Sequence, residues 1–282
     1  MKAGTSSLRS RRMKSYTMLS LTIVCTVVAI IPLFSIFAYV IIRGLPALNI
    51  DFLTNLPAPV GEPGGGMANA IVGSGIVVGI ACLIGIPLGI MSGIYLSEYG
   101  RNRLGKLVSF LTDALLGVPS IVVGIFVYLL IVLTMGGFSA LAGGVALAII
   151  MIPAVTRTTD EMLKLIPGHI REAGLALGLS KWRVILFIIL PSATRGIVTG
   201  IMLAIARIAG ETAPLLMTVF GSRYWHESIL KPIATLPVMI FNYAIAPYQD
   251  WQAQAWAGAL TLILIVLILN ILARVLTARR KG

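Results

Sequence analysis

The chain has little charge and very few acidic, cysteine or histidine residues. Charged residues make up 11% of its 282 positions, hydrophobic residues make up 58%, and the mean hydropathy is +0.98. A water-soluble domain of this length needs much more polar surface. The two cysteines, Cys25 and Cys82, lie inside hydrophobic runs, which excludes a disulfide framework and leaves packing as their simplest role. The composition therefore predicts a protein whose solvent is lipid.

Motifs of catalysis are also missing from the sequence. No G-x-x-x-x-G-K-S/T phosphate-binding loop occurs, and Gly64-Gly65-Gly66 is better explained as a flexible external loop. No His, Cys and carboxylate residues cluster at the spacing of metal ligands, and no histidine lies near a plausible nucleophile. We therefore expect a non-catalytic chain with no catalytic residue, no metal and no cofactor.

Long charge-free intervals predict six transmembrane helices. A helix needs about 20 mostly apolar residues to cross the hydrocarbon, and open sheet edges cannot be satisfied in lipid, so the predicted fold class is all-α. The interval 114–156 is too long for one helix, and Gly136-Gly137 divides it into two. The first run has no obvious cleavage site and is expected to remain as an anchor. The predicted helices lie near 18–42, 69–96, 108–134, 138–156, 195–219 and 254–274.

Lys and Arg residues are concentrated in alternate loops. The two termini and the loops after the second and fourth predicted helices hold most of the 22 basic residues, whereas the opposite face has Arg43, Arg223 and Lys231. Positively charged loops are retained on the cytoplasmic side, so we predict that both termini are cytoplasmic. The net charge of +12 does not indicate nucleic-acid binding, because the basic residues are spread along one membrane face.

The loop after the fourth predicted helix contains an amphipathic segment. Its apolar residues recur at helical spacing while its basic residues stay on the wet side, and Gly178 is suited to end one short helix before another begins. Such a segment can lie on the lipid surface or dock against another protein, and its amphipathic pattern does not distinguish the two. The residues at helical spacing are Glu172, Leu175, Leu179 and Trp182.

The spacing in this segment matches a known motif. Glu172-Ala173-Gly174, three residues, Gly178, nine residues, Ile188, one residue and Leu190-Pro191 resemble the E-A-A, x3, G, x9, I-x-L-P signature of type I ABC importer permeases. Gly174 is the one departure, at the third alanine position. The resemblance implies a type I ABC importer permease fold with a cytoplasmic coupling helix between helices 4 and 5. It also implies that Glu172, Ala173 and Gly178 couple the chain to a dimer of ATPase subunits, which hydrolyse ATP separately.

Further segments narrow the resemblance to permease subunits of phosphate importers. These are A-I-A-R-I-A-G-E-T-A-P-L-L from Ala204, P-S-I-V-V-G from Pro119 and R-T-T-D-E-M-L-K-L-I-P from Arg157. The resemblance implies a bacterial inner-membrane protein that forms half of a phosphate pathway. Its implied partners are a second homologous permease subunit and a periplasmic phosphate-binding protein.

Two alternatives stay open at this point. A related permease could carry another oxyanion, such as sulfate or molybdate. An ion-coupled carrier would need no ATPase, but it would be expected to show inverted repeats, and no convincing repeat relates residues 1–140 to residues 141–282.

The resemblance divides the chain into segments along the predicted spans. These are a cytoplasmic basic N-terminus (1–17), a first transmembrane helix (18–42), an external loop (43–68), an ABC type I permease core (69–274) that includes a coupling loop (157–194) and an external loop (219–255), and a cytoplasmic basic C-terminus (275–282).

Arg207 and Glu211 are two charged residues inside the fifth predicted helix. Each ionised side chain at mid-bilayer costs about 2.5 to 3.5 kcal/mol on insertion scales, so the pair needs an explanation. Helical geometry places both on the same face as Gly200, and that face is expected to point into the bundle. The pair is either a structural i,i+4 ion pair or a substrate-pathway site in which Arg207 binds the anion and Glu211 holds Arg207 until the anion arrives.

Asp113 and the last external loop also carry predictions. Asp113, near the start of the third helix, is best explained as a cap or as a partner for interface arginines. The external loop 219–255 is too short to span twice, and its apolar stretch 236–246 predicts a partly embedded external helix that contacts the binding protein.

Overall fold

The computed structural model describes residues 4–59, 62 and 64–278, and it is built from helices. Lys2, Arg279, Arg280 and Lys281, which support the predicted orientation, lie outside the described residues. Within those residues no β-strand is present, and Phe220 and Ile233 form an isolated parallel bridge. The helices are α1 (Gly4–Gly44), α2 (Ile50–Thr54), α3 (Ala68–Tyr99), α4 (Arg103–Gly117), α5 (Ser120–Met135), α6 (Ala140–Lys164), α7 (Gly168–Ala176), α8 (Lys181–Ala209), α9 (Ala213–Leu216), α10 (Leu236–Ala244) and α11 (Gln249–Ala278).

The helices agree with six membrane crossings. Across the described residues, five helices are long and apolar enough to span a bilayer, and the pair α4 and α5 makes a sixth crossing if counted together. That pair is bent by 105° at the break between Gly117 and Ser120. Pro119 explains the bend, because it lacks an N–H and forces the preceding Val118 into extended backbone. The predicted single helix over 108–134 is therefore a broken span.

Close glycine contacts show how the spans pass one another. A Cβ on Gly85, Gly89 or Gly93 of α3 would lie against Met151, Val155 or Thr159 of α6, respectively. The residue numbers rise together, so α3 and α6 cross in the same direction. On α8 the order is reversed, since Gly196 lies against Met162 and Gly200 lies against Thr158. The second and fourth spans, α3 and α6, therefore run in one direction and the fifth span, α8, runs in the opposite direction, which agrees with the prediction for these three spans.

The small residues of α3 are not equivalent. A Cβ on Gly89 would lie 2.6 Å from the Val155 Cβ, so the absence of a side chain lets the two helices approach closely. Gly85 and Gly89 therefore serve the packing of α3 against α6. At Gly75 and Gly79 a Cβ would meet nothing within 4 Å, so these two glycines do not serve close packing among the described residues of this chain.

The fifth span differs from its predicted bounds of 195–219. Helix α8 begins at Lys181, next to the coupling segment, and ends at Ala209 with Gly210 as its C-cap. Pro214 explains the break, because it has no N–H to donate to the carbonyl of Gly210 four residues earlier, so the hydrogen-bond ladder of α8 cannot continue through it. The short helix α9 follows the break.

Candidate functional site

The coupling segment forms two helices separated at the predicted glycine. Helix α7 ends at Ala176, and Gly178 adopts a φ of +79°, a left-handed conformation that favours glycine. Its N–H donates to the Leu175 carbonyl, and the N–H of Leu179 donates to the Gly174 carbonyl, which closes the end of the helix. The predicted break is confirmed, and the chain then turns at Ser180 into α8.

One face of α7 packs on the first turns of α8. Gly174 is buried, and a Cβ at that position would lie 2.9 Å from a methyl carbon of Val184. The glycine at the third position of the motif therefore allows α7 and α8 to approach each other closely. An alanine there would require Val184 to shift.

The opposite face of this segment is uncovered. Glu172 and Ala173 are exposed, as are Leu175 and Trp182, and the side chain of Leu177 is 80% exposed. The apolar stripe predicted from the helical spacing of Leu175 and Trp182 is therefore not buried within this chain. A large exposed apolar surface marks an interaction site for lipid or protein.

Arg171 fastens the coupling segment to the ends of two spans. Its guanidinium donates to the Glu98 carboxylate at 2.8 and 3.0 Å and to the backbone carbonyls of Leu163 and Ile166 at 2.7 and 2.6 Å. The Glu98 side chain is 6% exposed and that of Arg171 is 24% exposed, so the pair is well shielded. Arg171 thereby joins the C-terminal end of α3, the last turn of α6 and helix α7.

A second contact reinforces this joint from the start of α8. The ammonium of Lys181 donates to the backbone carbonyl of Glu98 at 2.6 Å and lies 3.9 Å from the centre of the Tyr99 ring. Sequence reasoning placed Lys181 on the wet face and treated Arg171 only as a basic loop residue. The joining role of Glu98, 73 residues from Arg171 in the sequence, has no local pattern that reveals it.

Arg207 and Glu211 form the predicted pair at the end of α8. The Arg207 Nε lies 3.8 Å from a Glu211 carboxylate oxygen, a distance at which the charges attract without a hydrogen bond. The buried stripe of α8 continues through Ala204 and Ile208, whereas the Arg207 side chain flanks it and is 52% exposed. The expectation that the charged face points inward holds for Gly200, and Arg207 instead faces out of this chain.

The contacts of α8 give the depth of Arg207. Gly200 lies against Thr158 of α6, and α8 continues for seven residues, about 10 Å, before reaching Arg207. The same distance along the 25-residue helix α6 leads to about its midpoint. Arg207 is therefore a half-exposed cation at about half the length of the spans, and it lies at the point where the fifth span breaks. A cation at this depth is costly against lipid.

Asp113 forms an ion pair with an arginine, which is one of the two roles predicted for it. Its carboxylate lies 3.8 Å from the Arg157 guanidinium, which also contacts Glu161 at 3.1 Å. All three side chains are exposed, so these ion pairs contribute little to stability. The predicted pairing of Asp113 with an arginine is confirmed.

Comparison with known proteins gives the family and close relatives. The family model described as binding-protein-dependent transport system inner membrane component matches residues 85–282. The phosphate transport system permease protein PstA of Yersinia pestis is 48% identical over 272 residues, covering 96% of this chain and 92% of that relative. The protein of the same name from Haemophilus influenzae is 45% identical over 273 residues, covering 96% of both chains.

A solved structure shares the arrangement of helices. It is the crystal structure of a bacterial ABC transporter involved in the import of the acidic polysaccharide alginate. The match covers 97% of this chain and 98% of that one, with a TM-score of 0.67 and 13% identity. At this identity the likeness shows the fold alone, which is that of an ABC importer permease.

Proposed function

This chain belongs to the family of binding-protein-dependent transport system inner membrane components, and on that basis we propose that it forms half of the transmembrane pathway of an ATP-driven importer of inorganic phosphate. The observation that carries the proposal is the 45 to 48% identity, over nearly the whole chain, to proteins named as phosphate transport permeases. The chain is a multi-pass inner-membrane subunit. We propose that its termini are cytoplasmic and that it is non-catalytic.

Membership in the family implies an ATPase subunit, a second permease and a periplasmic binding protein as partners. We propose that the ATPase dimer docks on the exposed face of α7, where Glu172 and Ala173 lie beside the uncovered Leu177. Gly178 sets the angle between α7 and α8. The contacts of Arg171 support this assignment, because a joint shared by three helices can pass movement of the docked segment to the spans.

Arg207 is the residue that we propose to contact phosphate. Its planar guanidinium can bind two oxygens at once and stays charged, which suits a small oxyanion. Its half-exposed position near mid-membrane supports a surface shared with the second permease, since lipid would penalise the charge. Glu211, with its oxygen 3.8 Å away, is close enough to weaken anion binding without closing a hydrogen-bonded pair.

Reconstitution tests the function directly. Proteoliposomes containing this chain, its partner permease, the ATPase and the binding protein should take up phosphate only when ATP is supplied on the ATPase side. Uptake of sulfate or molybdate in place of phosphate would assign another oxyanion. Uptake without the ATPase would indicate an ion-coupled carrier and would refute the proposal.

The role of Arg207 is tested within the same system. Arg207→Lys keeps the charge but loses the planar pair of donors, so we expect phosphate uptake to fall by about tenfold or more while complex assembly is unchanged. Asp113→Asn, which alters an exposed ion pair, is the matched control and should transport normally. Normal uptake by Arg207→Lys would leave only a structural role for the ion pair.

A further inference from the structure

The spans α8 and α11 leave a groove between them on the surface of this chain. It has a volume of about 390 Å³, and most of the residues that line it are apolar. Walls of this kind suit hydrocarbon better than they suit water or a free ion. The apolar walls are formed by Val198, Met202, Leu203, Leu267, Ile271 and Val275.

The two helices that form the groove run in opposite directions. A Cβ on Gly258 of α11 would lie 3.0 Å from the Met67 sulfur, and Met67 immediately precedes α3, so α11 begins at the end of the bundle where α3 begins. Helix α8 runs opposite to α3 and begins beside the coupling segment. The groove residues of the two helices therefore follow in reverse order. Arg274 lies at the end of the groove that Thr199 lines, and Leu267 lies at the other end.

Arg274 lies near the edge of the hydrocarbon. Arg207, at about half the length of the spans, is eight residues beyond Thr199, which is a rise of about 12 Å along α8. The hydrocarbon is about 30 Å thick, so its edge lies about 15 Å from the middle of the membrane. Arg274, level with Thr199, is therefore within about one helical turn of that edge. An arginine side chain at this depth is long enough to place its guanidinium among the lipid headgroups.

The polar groups of the groove differ in what they offer a ligand. The Thr199 hydroxyl donates to the Arg195 carbonyl at 2.8 Å, so it bonds to its own helix. The Asn270 amide likewise donates to the Val266 carbonyl at 2.9 Å. Arg274 is exposed, and its planar guanidinium suits a phosphate group. None of the described residues that line the groove is acidic, so Arg274 gives this end a positive charge.

The groove and Arg207 lie on different sides of α8. At about 100° per residue, Arg207 is turned by about 110° from the centre of the four α8 residues that line the groove. One side of α8 is therefore available to the second permease while the other side faces lipid.

We propose that this groove binds an anionic phospholipid, with the lipid phosphate at Arg274 and an acyl chain along the apolar walls. Basic residues at the cytoplasmic end of a crevice between spans are typical of sites for anionic headgroups, and Arg274 lies at the end beside the coupling segment, the proposed cytoplasmic side. A free phosphate ion would gain the cation but would leave its other oxygens against apolar walls, whereas a lipid satisfies both parts of the groove. The inference goes beyond the proposed function, because the transported anion need not enter this groove.

The test measures equilibrium binding of phosphatidylglycerol, radiolabelled in an acyl chain, to the purified complex of both permeases and the ATPase in an uncharged detergent. Phosphatidylcholine with the same acyl chains reports binding that does not depend on the anionic headgroup. We expect Arg274→Gln to weaken phosphatidylglycerol binding by about tenfold or more, and Arg274→Lys to weaken it less because the charge is kept. Phosphatidylcholine should bind more weakly than phosphatidylglycerol and should be affected little by either substitution.

Arg103→Gln is the matched control, because Arg103 is an exposed basic residue at the start of α4 and does not line the groove. It should bind phosphatidylglycerol within about twofold of the wild type. Ile271→Trp tests the apolar walls, since Ile271 is 52% exposed and a larger side chain there occupies the groove without entering the core. It should weaken phosphatidylglycerol binding by about threefold or more with no change in the melting temperature of the lipid-free complex. A loss of binding that merely follows a lowered melting temperature would overturn the inference.

Phosphatidylglycerol binding by Arg274→Gln equal to that of the wild type would also overturn it. The same holds if inorganic phosphate displaces the lipid and chloride at equal ionic strength does not, because the groove would then hold the free ion. A photoreactive amino acid at Ile271, activated in membranes that contain the complete transporter, should capture phospholipid. Capture of the second permease from that position would show that the groove belongs to the interface between the permeases and would refute the lipid site, whatever the outcome for phosphate uptake.

Discussion

Replacing Arg171 with glutamine should loosen the joint between the coupling segment and the spans. The substitution removes two hydrogen bonds to Glu98 and one each to the Leu163 and Ile166 carbonyls, and it leaves the Glu98 carboxylate shielded without its cation. Removing one partner of a buried ion pair costs about 3 to 5 kcal/mol. Because the Arg171 side chain is 24% exposed, the lower end applies, about 3 kcal/mol.

Hydrogen exchange measures this loss locally. A cost of about 3 kcal/mol raises the opening equilibrium about a hundredfold, so amides of α7 should exchange about a hundredfold faster in Arg171→Gln. Exchange in the middle of α6 should not change. In the reconstituted transporter, the same variant should hydrolyse ATP with little stimulation by the phosphate-loaded binding protein.

Two further variants make the result interpretable. Arg183→Gln is the control, since Arg183 is an exposed residue of the same segment whose guanidinium lies over the Trp182 ring. Adding Glu98→Gln to Arg171→Gln removes the stranded charge and should restore part of the protection. Equal exchange in Arg171→Gln and Arg183→Gln would refute the reasoning, because it would show that the joint does not depend on this ion pair.

Two further predictions concern packing and surface charge. Gly89→Ala adds a methyl group 2.6 Å from a side-chain carbon of α6, and it should destabilise the fold by about 1 to 3 kcal/mol, measured as a lower melting temperature of the purified complex. The control Gly79→Ala, whose methyl group would meet nothing within 4 Å, should melt like the wild type. Equal melting temperatures of the two variants would contradict the close packing of α3 and α6. Asp113→Asn should change the free energy of unfolding by less than about 1 kcal/mol, because its ion pair with Arg157 is exposed and 3.8 Å long, and a larger loss in denaturant titration would contradict this.

The number of spans and the break in the coupling segment were predictable because both depend on local sequence. A long uncharged run satisfies its backbone hydrogen bonds in lipid by forming a helix. The left-handed backbone at Gly178, with a φ of +79°, is one that glycine adopts most readily. The residues at which the membrane-spanning helices begin and end were less predictable. Hydropathy carries no information on the backbone, so the predicted bounds continue through the break near Pro214, where α8 has ended, and through the 105° bend at Pro119.

The candidate site was predictable only where its parts are close in sequence. Arg207 and Glu211 are one helical turn apart, and their charge inside an apolar run identified them. Glu98 and Arg171 are 73 residues apart and meet only because α3 and α6 run side by side.

The central claim is that the exposed face of α7 lies in the cytoplasm and is held by a separate ATPase. A photoreactive amino acid at Ala173, activated in membranes that contain the complete transporter, tests it most directly. The account predicts capture of the ATPase subunit from Ala173 and none from Tyr224, an exposed residue of the external loop. Capture of lipid alone from Ala173 during active transport, or labelling of that position from outside the cell, would contradict it.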